Sequence, residues 1–344
     1  MKKRIQHGVL LLGIIAGLAA IILYATQRGS FNWRLTPVVQ GGKLNVRLLR
    51  KTITHEFERG EDPQTTYEYL KRFFSTYDIS IQHQSAHVFG EVLFEQMGTA
   101  GIRVCDSDFA FGCFHSLFGK AIAALGIGVV SQLEQGCIEA YGPGGLGCVH
   151  GIGHGLGEYF GQQNIKKQLE ICSKLSWKGT LFGCSDGVFM EYHFPSDVQA
   201  AQITTGVMPV APGDEYDPCV TAGSLYERSC YFSLPTWWVD ALKKDEVRMN
   251  ALCGGLSDDD SKRFCFLGVG YAIAPVLDYD TQETQRRCDH MTGDDNQLLC
   301  RAGAAFAFFV NEQERPRASG MCEGLGERVS ECVQTSQLLL LQEL

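Results

Sequence analysis

Fourteen cysteines arranged as seven close pairs constrain this chain more than any other feature of it. In order they are Cys105/Cys113, Cys137/Cys148, Cys172/Cys184, Cys219/Cys230, Cys253/Cys265, Cys288/Cys300 and Cys322/Cys332. Partners stand 8 to 12 positions apart, and the first member recurs after 32, 35, 47, 34, 35 and 34 residues. A period near 34 is that of a repeat built from two helices and two turns. The pairs lack the C-x-x-C tightness of common zinc sites, so disulfides are the expected use of these thiols in an oxidising compartment.

The text around each pair fits helical hairpins. Before the first cysteine the sequence is polar and amphipathic, as in "NIKKQLEIC", "KDEVRMNALC" and "TQETQRRC", which predicts outer helices. After the second it is apolar and rich in small residues, as in "GCFHSLFGKAIAALG", "FCFLGVGYAIA" and "LLCRAGAAFAFFV", which predicts inner helices packed on their neighbours. Each bridge then clips the end of an outer helix to the start of the next inner one. A unit without cysteines precedes them, with "YEYLKRFFSTYD" as outer and "IQHQSAHVFGEVLFEQMG" as inner helix. The expectation is an all-α domain of about eight disulfide-stapled hairpins over residues 63–344, either an open α/α solenoid or a closed toroid. The longest interval carries Pro195, Pro209, Pro212 and Gly213 and reads as an inserted loop.

At the start, Met1-Lys2-Lys3-Arg4 precedes an uninterrupted apolar run from Gly8 to Tyr24. That run is close to the roughly 20 residues of a spanning helix, and Leu23-Tyr24-Ala25 makes a poor cleavage site. Residues 1–26 are therefore expected to be an uncleaved signal anchor, with 27–62 a stalk and entry segment and the rest outside the cytoplasmic membrane. A cleaved signal would export the same domain. The partner this implies is the membrane, through one N-terminal helix. A net charge of −9 offers no basic footprint for nucleic acid.

Seven of the nine histidines fall in the repeat region, six of them in its first half. With the inner helices aligned on their leading cysteine, His115, His150 and Asp186 each lie two residues after it. The later units carry Phe232, Leu267 and Ala302 there. The cysteine-free unit places His83 in the same register, and "HQSAHVFGE" matches "HGIGHGLGE" in both histidines, the glycine and the glutamate. Residues four apart share a helix face, so His83, His87 and Glu91 form one stripe and His150, His154 and Glu158 another.

Two His-x-x-x-His pairs with His115 and Asp186 make a set of ligands for one or two transition metals, with zinc, iron and copper suited to imidazole and carboxylate. Glu91 and Glu158 are then further ligands, acceptors that orient the imidazoles, or a general base. The H-E-x-x-H of zinc peptidases is absent, since Gln84 and Gly151 stand where its glutamate would. A histidine on an apolar helix is more often a satisfied core residue, and duplication copies such residues. Duplication alone leaves unexplained why the position is polar in the first four units and apolar in the next three.

In having one cysteine bridge per hairpin the chain is similar to the secreted Sel1-like repeat proteins, although the Sel1 consensus is absent. The turn "CVHG" at Cys148 to Gly151 also resembles the helix starts of the lanthionine cyclases. That likeness implies closure of the hairpins into a toroid; it does not extend to the zinc ligands, because Cys148 has a disulfide partner in Cys137. The functional expectation is a membrane-anchored extracytoplasmic metal-dependent enzyme, hydrolytic or oxidative. The alternatives are a non-catalytic repeat scaffold and a metal-binding or metal-delivery protein.

Overall fold

The computed structural model describes residues 35–178, 181–194, 196–197, 204–205, 207–311 and 314–341. The expected anchor over 1–26 lies outside the described residues. Among those described, no helix is long and apolar enough to cross a membrane.

The described chain is all-helical. In order the helices are α1 (Val46–Glu58), α2 (Pro63–Phe74), α3 (Ile79–Met97), α4 (Gly112–Leu125), α5 (Val130–Tyr141), α6 (Leu146–Phe160), α7 (Ile165–Cys172), α8 (Cys184–His193), α9 (Cys219–Ala222), α10 (Glu227–Ala241), α11 (Glu246–Gly255), α12 (Asp259–Val276), α13 (Thr281–Cys288), α14 (Asp294–Val310) and α15 (Val329–Leu341). Two antiparallel strand pairs of two residues each, 39–40 with 43–44 and 196–197 with 204–205, are the described strands. Helix α1 lies within the stretch expected to be a stalk and entry segment, and it packs on α3.

Local chemistry fixes many of the starts. Asp62, Asp78, Asp245, Asp258 and Asp280 each accept a backbone N–H three residues on, satisfying a donor that the first helical turn leaves orphaned. Helix α2 buries Tyr67, Leu70 and Phe74 on one stripe, as an outer helix should. Helices α4 and α6 are buried almost all round, which requires neighbours on several sides.

Those neighbours follow the chain. Helix α3 packs on α4, α4 on α6, α6 on α8, α8 on α10, α10 on α12 and α12 on α14, while α5, α7, α11 and α13 each lie against the inner helix that follows. All seven expected disulfides form, with Cα–Cα separations of 5.3 to 5.7 Å, within the span a bridge permits. No cysteine is left free. The outer element is a full helix in only some units. Before Cys105 and at Cys322 it is a 3₁₀ segment, and at Cys219, just after the inserted loop, it shrinks to the single turn α9.

The inner helices approach through glycine. A Cβ at Gly153 of α6 would strike the Cys184 carbonyl and the Val188 amide of α8, and one at Gly187 of α8 would strike the His150 carbonyl of α6. Only two facing glycines allow that backbone contact, which offsets the roughly 1 kcal/mol each costs in a helix interior. The glycine density of "HGIGHGLGE" is thus a packing device, and it brings His150 and His154 against α8. In the last units the interior is aromatic instead. Phe182, just before α8, touches Phe232 of α10, Tyr271 of α12 and Phe306 of α14.

Candidate metal centre

Three consecutive inner helices bring five histidines together. Helix α3 carries His83 and His87, α4 carries His115, and α6 carries His150 and His154. Because α4 lies between the other two, His115 stands between the pairs. Its ring centroid is 5.2 Å from His83, 5.3 Å from His87, 5.3 Å from His150 and 3.9 Å from His154, on which it stacks. Two triads result, His83/His87/His115 and His115/His150/His154, in each of which one nitrogen per ring lies within 4.8 Å of the others. His87, His115, His150 and His154 are buried, and His83 is half-buried.

The outer nitrogens are held from behind. In the α6 pair, Nδ1 of His150 donates to Asp186 Oδ2 and Nδ1 of His154 donates to Glu191 Oε2, both at 2.9 Å. Both acceptors come from α8. With each Nδ1 carrying the proton, each Nε2 carries a lone pair, and the two Nε2 atoms face each other at 3.1 Å. In the α3 pair, Nδ1 of His83 donates to the Phe109 carbonyl at 2.8 Å, and its Nε2 faces Nε2 of His87 at 2.9 Å. Ser116 Oγ, 2.8 Å from His87 Nδ1, is able to donate or accept. That pair can therefore satisfy itself: Ser116 donates to His87 Nδ1 and the His87 Nε2–H donates to His83. The α6 pair has no such arrangement of neutral rings.

His115 has less still. Among the described residues, neither of its ring nitrogens has a hydrogen-bond partner, although the ring is only 2 % exposed. An orphaned buried donor or acceptor costs about 1–3 kcal/mol, and His115 has one of each. Protonation is no remedy, because burial pushes His115, His154 and His87 well below the ordinary imidazole range, and neighbouring histidines push the same way. Burial also lowers His83.

The backbone before α4 is arranged around this cluster. Phe109, Ala110 and Phe111 occupy left-handed conformations with φ of 55°, 52° and 62°, which side-chain-bearing residues seldom adopt in succession. That turn presents the Phe109 carbonyl to His83 and sets the Phe111 ring 6.1 Å from His150. Strain of this kind persists only where surrounding structure holds it, commonly at functional sites.

One turn along from the histidines lies a carboxylate layer. Glu91 pairs with Arg50 of α1 and, at 3.7 Å, with Lys120 of α4. Glu158 rests over Gly119, and burial beside Glu191 holds its carboxyl well above the ordinary range. Lys120 and Arg50 are about one-third exposed and form the solvent side of the layer.

The structure thus gathers His83, His87, His115, His150 and His154. It sets Asp186 behind His150 as the acceptor of its Nδ1–H, and Glu91 and Glu158 a turn away. Glu191 and Ser116 were not singled out in the sequence. Glu191 lies five residues after Asp186, a spacing that puts the two on different faces of an isolated helix, so only the crossing of α8 over α6 aligns both with His150 and His154.

The donor set fits a transition metal. Imidazole nitrogen suits zinc, copper, iron and nickel, and two imidazoles on one zinc at about 2.0–2.1 Å stand about 3.3 Å apart in a tetrahedron. The two Nε2 pairs, at 2.9 and 3.1 Å, are near that span. No family model matches the chain, and no curated protein or solved structure proved similar to it.

Proposed function

We propose that this chain is an extracytoplasmic metalloprotein in which α3, α4 and α6 hold a transition-metal centre, and that the centre is catalytic. The observation that carries the reading is the His150–His154 pair. Two carboxylates fix both Nδ1 protons, so two lone pairs are left converging in a buried place that disfavours protonation. A metal cation is the partner such a pair lacks. Carboxylates that orient ligand imidazoles in this way raise their basicity and lock their tautomer. Asp186 and Glu191 take that role here, with His83, His87, His115, His150 and His154 as ligands.

Seven disulfides support an oxidising, extracytoplasmic compartment, and they already staple the hairpins. A further staple is not what the fold lacks, which favours a working ion over a structural one. Glu158, held toward its protonated form and in reach of solvent, is the group suited to pass a proton for hydrolytic or oxidative chemistry at the centre. Burial of the ligands disfavours a delivery protein, whose cargo must leave readily. The row of inner helices packed in chain order supports an α/α repeat architecture, and the apolar run at 8–24 supports tethering of this domain to the membrane.

The test is the metal content of the full chain produced in an oxidising compartment, beside a His150→Ala/His154→Ala variant. Stoichiometric metal in the parent, lost from a variant that keeps its helical spectrum, is the expected result. A parent free of metal after exposure to zinc, copper and iron salts overturns the reading.

A further inference from the structure

The two triads share one residue, and a ring can serve two centres only through two different nitrogens. His115 has both of its nitrogens unpartnered while four of its neighbours' nitrogens converge from either side. We propose that the centre is dinuclear: one ion takes His83 and His87, the other takes His150 and His154, and the imidazole of His115 bridges them. This rests on the metal-centre reading above and specifies its nuclearity.

The bridge has a defined balance. The neutral ring of His115 holds one N–H bond and one lone pair. When the second ion binds, the N–H bond breaks, a metal–nitrogen bond forms on each nitrogen, and the proton leaves for solvent. Nothing is oxidised or reduced. The positive charge of two cations, one on each nitrogen, is what stabilises the anionic ring between them. Three protein nitrogens per ion leave each with open coordination positions, as catalytic centres require.

The two halves are unequal when empty. Ser116 lets His83 and His87 satisfy each other through neutral tautomers, so binding there must first displace a hydrogen bond. The His150–His154 pair gives up nothing comparable. The first ion is therefore expected in the His115/His150/His154 triad and the second, more weakly, beside His83 and His87.

The experiment is a titration of the metal-free full chain with copper(II), followed by electron paramagnetic resonance at liquid-helium temperature and by metal analysis after desalting. Two bound ions whose signal grows with the first equivalent and falls with the second are expected, because an imidazolate bridge couples the two spins antiferromagnetically. The His83→Ala/His87→Ala variant is expected to retain one ion with full signal, and His150→Ala/His154→Ala to lose the tighter one. His115→Ala is expected to abolish the fall in signal; should it fail to fold, the two pair variants still decide the matter. Saturation at one ion per chain, or two ions whose signals simply add, overturns the bridge while leaving the metal centre intact. No bound copper overturns the bridge, and if zinc and iron salts also leave the chain metal-free the metal centre falls with it.

Discussion

His150 and His154 present their Nε2 atoms to each other at 3.1 Å while Asp186 and Glu191, both on the next inner helix, hold the opposite nitrogens at 2.9 Å. Weakening either acceptor should loosen the ligands without removing them. Asp186→Asn and Glu191→Gln are each expected to lower metal affinity about 10- to 100-fold, measured by competition with a chelator. Unchanged affinity in both would reduce the carboxylates to core hydrogen-bond acceptors.

His115 has a different signature. Its two unpartnered nitrogens destabilise the metal-free protein, so His115→Leu should raise the stability of that form by about 1–2 kcal/mol and abolish coupled metal binding. Denaturant midpoints of parent and variant, both stripped of metal, give the comparison. A clear loss of stability in the variant would show that the ring is satisfied after all.

The glycine contact between α6 and α8 is expected to be sensitive to a single methyl group. Gly153→Ala forces a Cβ into the Cys184 carbonyl and should cost about 2 kcal/mol or more, with metal affinity falling as the carboxylates move off the imidazoles. Gly254, in α11, has nothing within 4 Å of its would-be Cβ, and Gly254→Ala should stabilise by up to about 1 kcal/mol. Thermal melts of the two variants should shift in opposite directions.

Acid should destabilise the metal-free protein through its buried imidazoles. His193, stacked on Trp237 and donating from Nε2 to the Asp217 carbonyl, is pulled from 6.5 down to about 4 by burial. The folded form thus binds fewer protons than the unfolded form between those values, and stability falls as pH drops through that window. The contribution is nil above pH 6.5 and reaches about 3 kcal/mol of lost stability near pH 4. Unfolding curves across that range should be shallower in pH for His193→Gln than for the parent; parallel slopes would contradict the assignment.

Much of this was legible in the sequence, for reasons that differ by feature. Cysteine spacing sufficed for the disulfides because each bridge joins cysteines adjacent in order. The register of His83, His115 and His150 placed them at one level, since each falls in the second turn of its inner helix, as the fifth, fourth and fifth residue of α3, α4 and α6. The division of labour was not legible. Asp186 shares that register, yet it lies on α8, one helix further from His115, and reaches only the back of His150. Ser116 becomes a partner of His87 only because α4 leans on α3. The left-handed turn at Phe109 to Phe111 carries neither glycine nor asparagine, so nothing in its composition announces it.

Each of the seven bridges joins a cysteine to the very next one in the chain, across no more than 12 residues. A polypeptide threaded through an export channel from its N-terminus would therefore expose every thiol together with its rightful partner before a competitor arrives. An oxidase acting in order of emergence writes the native connectivity at the first attempt, with no need of shuffling. With 14 thiols the wrong pairings vastly outnumber the right one, and the chain escapes them by its order of arrival, hairpin upon hairpin.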